Sequence, residues 1–156
     1  MGTHYRGNAR ETRALDALIK LTRAANTVRH RLAERLGETG LTESQLAVLE
    51  LLLHLGPQCQ REIGRKLLVS RANVTLIVDR LSGLGWVRRC RETHDRRLVR
   101  VELTPEGRRR IQRAFPEHVA SAVEIFSPLT AAEQKDLARL CRKLGRANAE
   151  LPGGSR

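Results

Sequence analysis

The amino-acid sequence predicts a mainly α-helical fold that carries one small β-hairpin. Apolar residues recur at helical spacing over most of the 156 residues, and only the stretch 86–103 changes to an alternating pattern. Hydrophobic residues make up 40% of the chain, which is enough for a packed core and argues against wholesale disorder. The length suits one compact domain with helical extensions.

The first two helices are predicted from apolar spacing and from their end signals. Residues 11–36 carry leucine, isoleucine and valine at helical spacing between charged residues. Residues 42–45 (Thr-Glu-Ser-Gln) form a capping box, in which a hydroxyl and an amide satisfy each other's backbone N–H groups. We expect the second helix to run from Gln45 to about Leu55, because Gly56-Pro57 cannot continue it.

Two shorter helices follow, separated by a short turn. The first should cover about residues 60–67. The second should begin at Ser70, a good N-cap residue, and end near Leu84, where glycines interrupt it. Its apolar residues fall on one stripe, which predicts the face that packs on the core: Val74, Ile77, Val78 and Leu81.

The β-hairpin is predicted from a change of period. Val99, Val101 and Leu103 alternate with polar residues, which is typical of a half-buried strand. Residues 86–90 are a plausible partner strand, and 91–97 form a polar connection between the two.

The remainder of the chain is predicted to be helical. Thr104-Pro105-Glu106 combines a cap, a proline at the first helical position and an acid in the first turn. Ser127-Pro128 breaks that helix, and a second capping box at residues 130–133 starts the last one. Residues 1–10 and 148–156 lack such signals and are expected to be flexible.

Charge is concentrated in the middle of the chain. The formal net charge is +12, and residues 57–110 hold 14 basic and 6 acidic side chains, or +8 of that total. Phosphate neutralisation is the simplest cause of such a concentration, so a polyanionic partner is indicated. The alternative is a generally arginine-rich, soluble surface, which the clustering disfavours.

The sequence also disfavours a membrane protein, a metal-binding protein and an enzyme. There is no apolar run long enough to span a membrane and no signal-peptide pattern in residues 1–10, so we expect a cytoplasmic protein. Cys59, Cys90 and Cys141 have no CxxC spacing, and we interpret them as core or neutral positions. Paired carboxylates, phosphate-binding loops and metal motifs are missing, so neither an enzyme nor a cofactor is predicted.

A helix pair followed by a hairpin with a basic tip describes a winged helix-turn-helix. The helix from Ser70 to Leu84 has an apolar face to hold it on its domain and a polar face narrow enough for the major groove. Arg71 and Asn73 in its first turn are candidate base readers, and the helix N-terminus favours phosphate. Taken alone, this helix fits a solvated surface helix equally well.

Residues 68–89 and 94–107, with the Asp-x-Arg pattern at 95–97, resemble the MarR (multiple antibiotic resistance regulator) family. The resemblance is strongest over residues 41–110. It implies a winged domain at residues 41–104, and a homodimer held by helices at 11–36 and 105–150. It also implies transcriptional regulation, expected to be repression, on a roughly palindromic double-stranded DNA operator.

Site residues follow from the helix and from this resemblance. Arg97 is implied to enter the minor groove, which suits a guanidinium, while Asp95 holds the wing tip in shape. A pairing of the two that merely stiffens a turn is the alternative. The full set of candidate DNA-binding residues is Ser70, Arg71, Asn73, Thr75, Arg80, Asp95, Arg96 and Arg97.

Two matters stay open on the sequence. Relatives often release DNA when a small, frequently aromatic effector binds, but no residue here is assigned to such a pocket. Leu76 stands where the family often has a basic residue; it could touch a thymine methyl or could mean one fewer polar contact. The alternative function is a winged-helix module that binds RNA or protein.

Overall fold

A computed structural model of the chain describes residues 4–91 and 99–149, with side chains through 148. The described residues form six helices and three short strands. Their bounds, in chain order, are α1 Ala9–Gly37, α2 Glu43–Leu55, β1 Gln58–Cys59, α3 Gln60–Leu67, α4 Arg71–Gly83, β2 Val87–Arg91, β3 Val99–Leu103, α5 Pro105–Phe126 and α6 Ala131–Ala149.

The helix ends follow their capping residues. The predicted capping box before α2 is confirmed, since Thr42 Oγ1 accepts from Gln45 N at 3.3 Å and Gln45 Oε1 accepts from Thr42 N at 2.9 Å. A further capping box, not predicted from the sequence, starts α1: Asn8 Oδ1 accepts from Glu11 N, and Glu11 Oε2 accepts from Asn8 N, both at 3.0 Å. The helix therefore includes residues 9 and 10, inside the stretch 1–10 that was expected to be flexible.

The sheet has one strand more than the predicted hairpin. β2 and β3 pair antiparallel as expected, but β1 pairs with the other edge of β3, so the strand order is β1-β3-β2. β1 was not predicted, because two residues are too few for a periodic pattern. The extra strand joins the start of α3 to the hairpin.

The core lies between α2, α3, α4, β3 and α5. Leu49 of α2 is fully buried, and the predicted stripe of α4 is confirmed at Val74, Val78 and Leu81, with Ile77 only partly buried. The other fully or almost fully buried large side chains are Leu52, Ile63, Val48, Val101 and Ile111. This core fixes α3, α4 and the sheet as one unit.

A tight joint connects the base of the hairpin to α5. A Cβ built on Gly107 would lie 1.8 Å from the Trp86 carbonyl oxygen, so only glycine fits at this position in the first turn of α5. The guanidinium of Arg110 lies 5.2 Å from the centre of the Trp86 ring and donates to the carbonyl of Thr39. Trp86 is partly buried against the core.

The flanking helices bury much less. α1 packs on α2 and α5, and Arg35 forms two contacts of 2.7 Å with the Glu124 carboxylate. In α6 every residue from 131 to 148 is exposed. Among residues 4–91 and 99–149, no helix is long and apolar enough to cross a bilayer.

Candidate nucleic-acid interface

The α3–turn–α4 unit is held by backbone geometry at the turn. Leu68 ends α3 in the left-handed region, with φ 55°. Val69 N then donates to the Gly64 carbonyl at 3.1 Å. A Cβ on Gly64 would lie 3.1 Å from the Val69 carbonyl oxygen and 3.3 Å from a methyl of Val74, so the absent side chain lets α3 lie close to the turn and to α4. These contacts set the angle at which α4 leaves the turn.

Helix α4 has one buried face and one exposed face. Ser70 caps it, with its hydroxyl oxygen accepting from Asn73 N at 3.3 Å. Helical spacing predicts that five residues point away from the core, and four of them are exposed: Ala72, Leu76, Asp79 and Gly83. The fifth, Thr75, is only half-buried. The exposed face lies opposite the buried stripe of α4, which is the arrangement that a groove-reading helix requires.

The structure brings five of the predicted site residues together on α4. Arg71, Asn73 and Arg80 are exposed, and no described residue forms an ion pair with either arginine. Thr75 is only half-buried at the edge, and its hydroxyl donates to the Arg71 carbonyl at 3.1 Å, which leaves its oxygen as an acceptor. The fifth residue is the cap, Ser70. Asp95, Arg96 and Arg97 lie outside the described residues.

Basic residues that the sequence analysis did not single out extend this surface. Arg61 and Arg65 are exposed one turn apart on α3, and together with Arg71 they line an open cleft between α3, α4 and the start of β3. Their spacing of four residues was the available signal, since it places both on one face of a helix. The cleft offers three guanidinium groups to a phosphate backbone.

An ion pair connects α4 to the hairpin. Arg89 of β2 donates through Nη2 to Asp79 Oδ1 at 2.5 Å. Asp79 is the one carboxylate within α4, and Arg89 neutralises it. The pair leaves no signal in the sequence, because its members are ten residues apart and on different elements.

The comparisons with known proteins address the same region. A model of the MarR family matches residues 41–99. The HTH-type transcriptional regulator YkoM of Bacillus subtilis is 33% identical over 133 residues, which are 85% of this chain and 86% of YkoM. The chain belongs to the MarR family. The prediction of a DNA-binding transcriptional regulator, rather than an enzyme, is thereby confirmed.

Solved MarR-family structures support the winged helix-turn-helix fold. A mutant of E. coli MarR complexed with operator DNA is 26% identical with a TM-score of 0.75, over 89% of this chain and 99% of that one. BpsR of Bordetella bronchiseptica, whose DNA binding is regulated by 6-hydroxynicotinic acid, is 25% identical with a TM-score of 0.76, over 83% and 98% of the two chains. The predicted fold class is confirmed.

The cysteines of this MarR-family chain differ in their surroundings. Cys90 of β2 donates its thiol proton to Glu102 Oε1 at 3.2 Å, and this hydrogen bond, followed by burial, raises the pKa of the thiol. The pKa of Glu102 is lowered in turn by hydrogen bonds from Cys90 and Arg88. A raised pKa keeps the thiol protonated and therefore a weak nucleophile. Cys59 is half-buried, and Cys141 is exposed on α6.

Proposed function

We propose that this chain represses transcription as a homodimer that binds a roughly palindromic duplex operator through two copies of α4. The observation that carries the proposal is the exposed face of α4, which projects from a buried core beside a cleft lined by three arginines. A dimer that covers two half-sites about one helical turn apart would block polymerase at a promoter.

Within each half-site, the first turn of α4 makes the contacts to the bases. Arg71 and Asn73 are exposed there, and both side chains suit base edges in the major groove. Ser70 and Thr75 offer hydroxyl oxygens at the same end, while Arg80 lies two turns further along and reaches a phosphate. The Arg61–Arg65 pair on α3 adds backbone contacts.

The wing supplies the second contact in this proposal. Arg97 enters the minor groove beside the half-site, Asp95 orients it, and Arg96 adds positive charge at the tip. Support comes from the Asp-x-Arg pattern at residues 95–97, which resembles that of the MarR family, and from the place of these residues in the sequence between β2 and β3. The winged unit that we assign to DNA binding is residues 41–104.

Dimerisation is proposed for the helical flanks, residues 11–36 and 105–150. Large apolar side chains on α1, α5 and α6 are exposed in the single chain: Leu18, Leu21, Val119, Val123, Leu137, Leu140 and Leu144. Large apolar side chains exposed on several helices are typical of an interface, and a two-fold dimer buries the same surface of both copies.

Release by a small aromatic effector is the regulatory part of the proposal. It is supported by BpsR, whose DNA binding responds to 6-hydroxynicotinic acid. Binding of an effector shifts the protein away from DNA only if the effector prefers a dimer geometry that does not fit the operator.

The proposal is tested on the promoter of the chain's own gene. DNase footprinting with the full-length protein should protect a segment with two related half-sites, and unlabelled duplex of that segment should compete. A structured RNA of equal length and charge serves as the matched competitor. Stronger competition by the RNA, or the lack of any protected segment, would favour the winged-helix module that binds RNA or protein instead.

A further inference from the structure

A large apolar side chain occupies the middle of the exposed face of α4. Leu76 is 67% exposed, although the residues around it on this surface are small or polar. Exposed leucines are common on proteins and usually have no special role. This one is different because it lies on the surface that the proposed function assigns to the major groove.

The neighbours of Leu76 let it approach a base closely. At about 100° per residue, positions 72, 76 and 83 lie within about 40° of one another around the helix axis. Ala72 and Gly83 have almost no side chain to hold the helix away from the floor of the groove. Leu76 is therefore the side chain that extends furthest along this line.

The negative charge near Leu76 on this face, the carboxylate of Asp79, is compensated. Asp79 lies three residues after Leu76 and would repel DNA if it were free. Its carboxylate is instead drawn to Arg89 of β2 at 2.5 Å, on the side of the hairpin. The surface around Leu76 is thus open to an apolar contact without an uncompensated negative charge next to it.

We propose that Leu76 recognises a thymine in each operator half-site by packing against its C5 methyl group. The inference rests on the proposed function and names one specificity contact within it. In the major groove a thymine presents this methyl, whereas a cytosine presents an amino donor that leucine cannot accept. Contact with a purine on the same strand would leave the N7 acceptor without its water. A thymine is therefore the base that an exposed leucine favours.

The experiment removes the methyl group without changing base pairing. Full-length protein first selects its preferred duplex from a randomised library. Each thymine of that duplex is then replaced by deoxyuridine, and affinities are measured by fluorescence anisotropy. At one position per half-site, the replacement should weaken binding about fourfold, and replacement in both half-sites about fifteenfold, as expected for the loss of one buried methyl contact per site.

The protein variants then assign the effect to Leu76. Leu76→Ala should bind the thymine and deoxyuridine duplexes equally, within about 1.5-fold, because the contact is already lost. Leu55→Ala removes the same atoms from an exposed leucine at the end of α2 and should retain the full deoxyuridine penalty. Leu76→Gln, selected on the same library, should prefer a different base at this position. Circular dichroism should show all three folded, since both leucines are exposed.

The outcomes separate the inference from the proposed function. If the native protein binds a selected duplex but no thymine-to-deoxyuridine change weakens it, the leucine contact is excluded while the operator-binding function stands. An equal penalty in the native protein and in Leu76→Ala would assign the methyl contact to another residue and overturn the inference. If no duplex is enriched at all, the proposed function itself fails.

Discussion

The winged unit and the helical flanks both contain leucine-rich helices, but the apolar side chains are mostly buried in the winged unit and mostly exposed in the flanks. In the winged unit, Leu49 and Ile63 are completely buried within a single chain. In the flanks, Leu140 is 53% exposed and Val123 is 66% exposed. The difference does not come from the residues themselves. It comes from whether the chain supplies a second element to cover them, which it does around α2 and does not around α6.

The core of the winged unit is completed within one copy by Leu36 of α1 and Ile111 of α5, and we propose that a second copy covers the exposed apolar faces of the flanks. An apolar face that stays in water gains nothing from the hydrophobic effect until a partner covers it. The excess of positive charge is concentrated in residues 57–110, which contain α3, α4, the strands and the start of α5. DNA binding and dimerisation are therefore expected to respond to substitutions in different parts of the chain.

The largest effect is expected in the core of the winged unit. Leu49→Ala should lower the free energy of unfolding by about 2–5 kcal/mol, because it removes buried methyl groups and leaves a cavity. Urea denaturation measures this. Leu76→Ala makes the same chemical change at an exposed position of the same unit and should alter stability by less than about 0.5 kcal/mol. Similar losses for the two variants would mean that this core is not the stable part of the molecule.

A second substitution should separate the two copies. The native protein should sediment at about twice 17.6 kDa. The double variant Leu140→Glu, Leu144→Glu places charges on the apolar face of α6 and should weaken dimerisation by about 100-fold or more, because unpaired charges would have to be buried. Glutamate is a good helix former, so α6 itself should persist.

The matched control lies on the other side of the same helix. Arg142→Glu with Arg146→Glu changes charge more strongly but about half a turn away from the leucines. It should leave the dimer intact in sedimentation. A monomer in the control, or a dimer in the leucine variant, would contradict the assignment of this face.

An intermediate effect is expected at the wing. Arg97→Ala should weaken operator binding by roughly 1–3 kcal/mol, as for one lost groove contact, with thermal stability and dimerisation almost unchanged. Asp95→Ala should weaken it less, since its proposed role is to hold Arg97. Arg142→Ala removes the same charge from a flank and should have little effect. Equal losses at positions 97 and 142 across a salt titration would show that only net charge matters.

The smallest effect is expected at the turn between α3 and α4. Leu68 is 88% exposed and has φ 55°, a conformation that costs a residue with a Cβ about 1–2 kcal/mol. Leu68→Gly should therefore raise the free energy of unfolding by about 0.5–1 kcal/mol, after the greater freedom of glycine in the unfolded chain is subtracted. Leu76→Gly, within a helix, should lower it by about 1 kcal/mol. Thermal denaturation distinguishes a gain from a loss.

Local patterns of the sequence determined most of the secondary structure and the position of α4. The structure confirms three such patterns: the capping box at Thr42 and Gln45, the proline after Thr104, and the stripe from Val74 to Leu81. In each of them, neighbouring residues of the pattern are at most four positions apart. Such signals can be read from the sequence because both partners lie within one helical turn.

Contacts between distant residues were decided only by the tertiary structure. Two residues of β1 become a strand because β3 lies beside them, and Asp79 is neutralised because β2 brings Arg89 to it. Trp86 and Arg110 meet because Gly107 allows α5 to approach the hairpin. No periodicity encodes these pairs, since each depends on how separate elements pack. The sequence by itself determined where α4 lies and which of its faces is apolar, because these signals act within one helical turn, and packing decided which charged groups of other elements lie beside its exposed face.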